Sequence, residues 1–158
     1  IRNHIHDNFI YEDVKQTLTE SGVSNSILYV NEFLFALKKG IDFNLDGNID
    51  IEHIMPQSGL NRENIMSDAG LESQEEFRDY AEKIGNKILL EADINRSIQD
   101  AWFRSKRKNT ITSGHGYIGS KFPIAKSLVN YLNDTWTKTD IEAATEKAAT
   151  RIADFIFE

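Results

Sequence analysis

Only two stretches of this chain read as β-strands, and two strands are too few to stand alone. Residues 48–54 (NIDIEHI) place Ile49 and Ile51 between polar neighbours, and Pro56 ends the run. Residues 86–91 (NKILLE) supply the second short strand. A lone pair of strands is marginal in water, so the remaining chain must cover it. That remainder is patterned for helices. The first is expected over 13–22, ending at Gly22, and the second over 26–39. The second carries Ile27, Val30, Phe33, Leu34 and Leu37 as its apolar stripe and stops at Lys38, Lys39 and Gly40. A third is expected over 74–83, opened by Ser73 with Glu76 and stopped by Gly85. A fourth, over 93–106, is capped by Asp93 and turns Ile94, Ile98, Ala101 and Trp102 to one face. Others fall over 124–133 and 140–157, the last capped by Thr139 and Glu142 with Ile141, Ala144, Ala148, Ile152 and Phe155 as its stripe. Residues 42–47, 57–72 and 109–120 read as turns and loops. Phe33, Phe35, Trp102 and Phe103 are expected in the core. The fold class is therefore α+β, mostly helical.

Composition narrows the function classes. The 158 residues suit one domain over 1–158, and 40% hydrophobic with 27% charged residues is enough to bury a core and excludes wholesale disorder. No apolar run is long enough to cross a bilayer. Cysteine is absent, which excludes disulfides and Cys-ligated metal sites and fits a reducing compartment. The chain opens on Ile with no signal-peptide pattern, and reads as a piece of a longer protein. A net charge of −7 opposes a nucleic-acid partner on average. Residues 95–126 argue the other way, with seven basic residues against one acidic.

Two motifs overlap. Asp42, Asn44, Asp46, Gly47 and Ile49 fit the start of an EF-hand calcium loop. Such a loop needs a bidentate Glu at its twelfth position, where this chain has His53, a poor calcium ligand; Glu52 stands one place early. A hydrated turn leading into a strand fits better.

The second motif joins D-I-E-H-I-M-P-Q-S (50–58) to G-N-K-I-L-L-E-A-D-I-N-R (85–96). One strand delivers Glu52 and His53 side by side, a second pairs with it, and a helix then carries Asn95 near its first turn. A carboxylate and an amide oxygen are hard ligands suited to Mg²⁺ or Mn²⁺. A neighbouring neutral His can take a proton from water near neutral pH. A helix N-terminus favours phosphate. Together they point to metal-assisted phosphodiester hydrolysis.

These segments resemble the HNH (ββα-metal, or His-Me finger) nuclease motif. The HNH domain of the RNA-guided CRISPR nucleases is similar in its D/E-H-I-x-P-Q-S stretch and in N-K-x-L followed by Asn-Arg. The chain more closely resembles the C-terminal HNH-type domain of GmrSD-like, modification-dependent restriction endonucleases. The residues that carry this are Glu52, His53, Ile54 and Pro56; Gly85, Asn86, Leu89 and Leu90; Asn95; and Phe103 with Lys106. The resemblance covers roughly residues 26–158 and implies a ββα-metal core at 48–106, helical support at 1–40, and a C-terminal loop and helices at 107–158.

It further implies a metal-dependent DNA endonuclease that restricts modified foreign (phage) DNA in the bacterial cytoplasm. His53 would be the general base, and Glu52 and Asn95 the ligands of Mg²⁺ or Mn²⁺. Asn86 would pin the loop by backbone hydrogen bonds, with Pro56 beside it. Lys106 would sit near the scissile phosphate or serve a structural partner. Arg96, Arg104, Lys106 and Arg107 are the candidate DNA contacts. The partner is DNA, and the family adds a nucleotide-using N-terminal domain that this chain lacks. Lys87 departs from the family, which often has Leu there, and the overall acidity departs from most nucleases.

Each residue also has a plainer explanation. His53 can be a core histidine, Asn95 a helix-start residue, Asp50 a solvated strand residue, and the run 104–108 a charged helix end. His4 and His6 read as a frayed terminus and His115 as part of a flexible loop. The alternatives for the whole are a calcium-binding or metal-free helical interaction module, or a degenerate HNH fold that binds DNA without cutting.

Overall fold

The computed structural model describes residues 2–20, 22–108 and 116–158. Helices α1 (Arg2–Asn8), α2 (Tyr11–Thr19) and α3 (Asn25–Lys39) come first. Strand β1 (Ile49–His53) follows, then α4 (Arg62–Asp68), α5 (Gln74–Glu82), a 3₁₀ turn (Ile84–Asn86) and β2 (Lys87–Glu91). After these run α6 (Ala92–Ile98), α7 (Phe103–Lys108), a second 3₁₀ turn (Tyr117–Gly119), α8 (Pro123–Leu128) and α9 (Lys138–Phe157). The chain is mostly helical with a small two-stranded sheet, the α+β class expected.

The strands pair antiparallel, Ile49 opposite Glu91 and His53 opposite Lys87. Two backbone bonds extend the pairing, Ile54 N to Asn86 O (2.9 Å) and Ala92 N to Asn48 O (3.0 Å). Lys87 through Leu90 are all buried, because helices cover both faces of β2. Leu89 and Leu90 are each 0% exposed, and each such side chain contributes about 1.5–3 kcal/mol by leaving water. The hairpin thus gets its stability from helices distant in sequence.

α9 packs against α2, α3 and the 3₁₀ turn that leads into β2. Thr137 and Asp140 form its capping box: the Thr137 side chain accepts from Asp140 N, and Asp140 accepts from Thr137 N. This replaces the expected Thr139–Glu142 cap; Glu142 instead accepts a hydrogen bond from the Tyr80 hydroxyl. The helix buries Ile141, Ala148, Ala149, Ile152 and Ala153, whereas Phe155 is exposed. Its small residues admit close neighbours. A Cβ on Gly85 would fall 2.4 Å from Ile141 O and from Thr145 N, so only glycine lets the 3₁₀ turn touch α9 backbone to backbone.

Four further expectations need correction. Helix α3 forms where foreseen, with Gly40 in the left-handed conformation at its end, but it buries a different face. Leu28, Asn31, Glu32, Leu34 and Ala36 point inward, while Val30, Phe33 and Leu37 are exposed. Two polar residues can occupy the inner face because each has a partner there. Arg151 Nη1 donates to Asn31 Oδ1 (2.5 Å) and Ile124 N donates to Glu32 Oε1 (3.0 Å). Residues 57–72 contain α4, a short helix whose main buried contact is Ile65. One buried residue in two turns leaves too little periodicity to read. Finally, the helix expected over 93–106 is two helices, with Asp93 inside the first rather than capping it. The break is at Gln99, which adopts φ 46, ψ −130. The helix expected over 124–133 is shorter, ending at Leu128.

Candidate active site

Glu52 and His53 are neighbours on β1, and a pleated strand turns neighbours to opposite faces. Their partners differ accordingly. Glu52 is 4% exposed, and its Oε1 accepts from Lys106 Nζ (2.5 Å) and from the Tyr117 hydroxyl (2.8 Å). Lys106 is 0% exposed and also donates to the His53 and Ile54 carbonyls (2.8 and 3.3 Å). Burial, then the Glu52 charge, push the Tyr117 phenol well above its ordinary range, so it acts as a donor. The second Glu52 oxygen, Oε2, holds no hydrogen bond among the described residues.

His53 is half-buried, and its Nε2 lies 3.1 Å from Glu82 Oε1. The other Glu82 oxygen accepts from Lys87 Nζ at 3.1 Å. Burial pushes the Glu82 carboxyl up, but the bonds from Lys87 and His53 outweigh this and hold it below the usual carboxylate range.

Asn95 stands on the second turn's edge of α6, three residues beyond its start at Ala92. Its Nδ2 donates to Asp50 Oδ2 on β1 (3.2 Å). Its amide oxygen has no hydrogen bond among the described residues. An open groove runs between β1, the 56–59 loop and α6. Glu52, His53, Pro56, Asn95, Arg96 and Asp100 are among its lining residues. The candidate base and both candidate ligands therefore meet on one groove. Among the described residues no three His, Cys, Asp or Glu side chains converge as a metal cluster. The oxygens available here are a mixed set: one carboxylate oxygen, one amide oxygen and the neighbouring Asp50.

Asn86 is fully buried and works on the backbone. Its Oδ1 accepts from Met55 N (2.8 Å), and its Nδ2 donates to the Met55 and Ala81 carbonyls (3.0 Å each). It thereby ties the end of α5 to the turn that leads from His53 to Pro56, itself buried beside the groove.

The four candidate DNA contacts separate into two pairs. Arg96 and Arg104 are exposed, and Arg96 lines the groove. Lys106 and Arg107 are turned inward. Arg107 bonds the Tyr131 carbonyl (2.7 Å) and Asp134 (2.5 Å), and Lys106 is committed to Glu52. Neither is placed to meet a phosphate. His4 and His6 are exposed on α1, and His115 lies outside the described residues. The calcium loop is occupied by a side chain: Lys121 Nζ donates to Asn44 Oδ1 (3.0 Å) and to the Asp46 carbonyl (2.7 Å). An ammonium holds oxygens that a calcium ion would need, and the segment is a turn before a strand.

Sequence reasoning missed Glu82 and Tyr117. Glu82 ends a helix five residues before the second strand, a position with no motif of its own. Tyr117 opens a short 3₁₀ turn, and nothing in its neighbouring sequence signals a buried phenol. Lys106 was found only through the family pattern.

No curated protein and no solved structure matches the chain. No helix among the described residues is long and apolar enough to cross a membrane. The model for the C-terminal domain of the GmrSD restriction endonucleases matches residues 2–150, and the chain belongs to that family, a restriction-endonuclease type of nuclease that acts on DNA.

Proposed function

We propose that this domain is an HNH-type, metal-dependent DNA endonuclease built on a ββα-metal core of β1, β2 and α6. The supporting observation is that Glu52, His53 and Asn95 line one open groove. The donors fit a hard divalent cation. Glu52 Oε2 and the Asn95 amide oxygen are free of protein hydrogen bonds among the described residues, and Mg²⁺ takes few protein oxygens and keeps several waters. Mn²⁺ accepts the same donors. When bound, such an ion supplies charge stabilisation to the scissile phosphate and the departing oxygen.

The chain's own residues do the rest. Lys106 and Tyr117 hold Glu52 by one oxygen and so leave the other directed for coordination. Asp50 holds Asn95 through its amide nitrogen, which turns the amide oxygen away from Asp50. His53 takes the proton from the attacking water. Arg96 and Arg104 are the exposed cations that would meet the DNA backbone. Modified foreign DNA is the substrate, as restriction implies.

The test is plasmid cleavage with Mg²⁺ or Mn²⁺, comparing this chain with His53→Ala. Cleavage that requires the metal and disappears in the variant is expected. Cleavage that survives the substitution would place the chemistry elsewhere.

A further inference from the structure

A histidine can take a proton from water only through an unprotonated ring nitrogen, so the tautomer decides whether His53 is a base at all. Among the described residues the ring has one hydrogen-bonding partner, Glu82, on Nε2 (3.1 Å). Nδ1 has no hydrogen bond among the described residues. We propose that Glu82 is the positioning residue of this site, fixing the His53 proton on Nε2 and leaving the Nδ1 lone pair for water. The proposal rests on the nuclease reading for its consequence but not for its geometry.

Lys87 takes part in the same contact. Glu82 stands between His53 and Lys87, with one oxygen for each. Lys87 is 4% exposed, an ammonium is a donor only, and among the described residues Glu82 is its one side-chain partner. The pair keeps Glu82 ionised, as its lowered carboxyl affinity for protons reflects. An ionised carboxylate is acceptor-only, so the His53 nitrogen that faces it must carry the hydrogen.

This makes an unusual prediction about two variants. In Glu82→Gln, Lys87 must take the amide oxygen, the side chain's one acceptor. The amide NH₂ then faces His53 Nε2 and requires it to accept. The proton moves to Nδ1 and the base is lost. Glu82→Ala imposes no tautomer, since water can replace the carboxylate. The isosteric variant should therefore be the worse one, an order that loss of packing or charge alone would not produce.

The experiment pairs two readouts. Nitrogen-15 NMR of the His53 ring in metal-free protein, at a pH where the ring is neutral, gives the tautomer. The plasmid assay gives the rate. The expected result is Nε2–H in the native chain, Nδ1–H in Glu82→Gln, and cleavage lowered about tenfold or more below that of Glu82→Ala. Nδ1–H in the native chain, or an unchanged Nε2–H in folded Glu82→Gln, would overturn the proposal. So would equal cleavage by the two variants. A native chain that holds Nε2–H, switches in Glu82→Gln and yet cuts no DNA would refute the nuclease reading while supporting the role of Glu82.

Discussion

Glu32 offers a test of the core that is independent of the site. It sits on α3 with 0% exposure, accepts one backbone bond from Ile124 through Oε1, and leaves Oε2 buried without a partner among the described residues. Burial pushes its carboxyl up to about 7 from 4.5, against the opposing pull of the Ile124 bond and Arg151; Glu91 adds a small push upward. Below the lower value both folded and unfolded chains hold the proton, and nothing is lost. Between 4.5 and about 7 the unfolded chain ionises while the folded one does not, so stability falls as pH rises. Above about 7 the loss is complete, and the shift corresponds to roughly 3 kcal/mol. Glu32→Gln reproduces the protonated form without titrating: its amide oxygen keeps the Ile124 bond and its NH₂ stands where Oε2 stands. Urea unfolding should find the two proteins about equally stable near pH 4. Near pH 8 the variant should be more stable by a few kcal/mol. Other titrating groups are common to both proteins and cancel in the difference. A difference that stays constant across this range would refute the reasoning, because it would mean that Glu32 is ionised in the fold throughout.

Two other substitutions test the wiring of the groove. Lys106→Met removes three hydrogen bonds and leaves Glu52 buried beside Tyr117 alone; it should cost about 3–5 kcal/mol of unfolding free energy, and a loss below about 1 kcal/mol would mean that Glu52 is solvated. Gln99→Gly relieves a left-handed backbone and should stabilise by about 1 kcal/mol in the same assay, whereas Gln99→Ala should give no such gain.

The sequence was most legible where local rules and tertiary needs agree. The alternation at 48–54, the Gly40 stop and the Ser73 cap all reflect chemistry confined to a few neighbouring residues. Glu52, His53 and Asn95 line one groove, as the spacing of a strand, a strand and a helix start leads one to expect. What could not be read depends on contacts across the chain. The inner face of α3 is not legible locally, because Asn31 and Glu32 look like surface residues until Arg151 and the Ile124 amide are brought to them. Lys106 and Arg107 looked like phosphate ligands because an isolated basic run is normally solvated. Their acceptors, Glu52, Tyr131 and Asp134, lie 24 to 54 residues away.

The kink at Gln99 explains how such distant groups reach the site. A continuous helix over 93–106 would run about 20 Å in one direction and carry Lys106 away from the strand it serves. The reversal at Gln99 starts α7 on a new course, and Lys106 returns to Glu52 and to the His53 and Ile54 carbonyls. The same turn releases Asp100 from helical geometry, and its carboxylate accepts from Leu60 N (3.2 Å). That carboxylate occupies the place where a Cβ on residue 59 would stand, which is why the loop has Gly59. One strained residue thus joins α6 to the 56–59 loop on one side of the groove and anchors Glu52 from behind. Two short strands and a seven-residue helix cannot hold a buried carboxylate by themselves; the bend recruits the lysine that can.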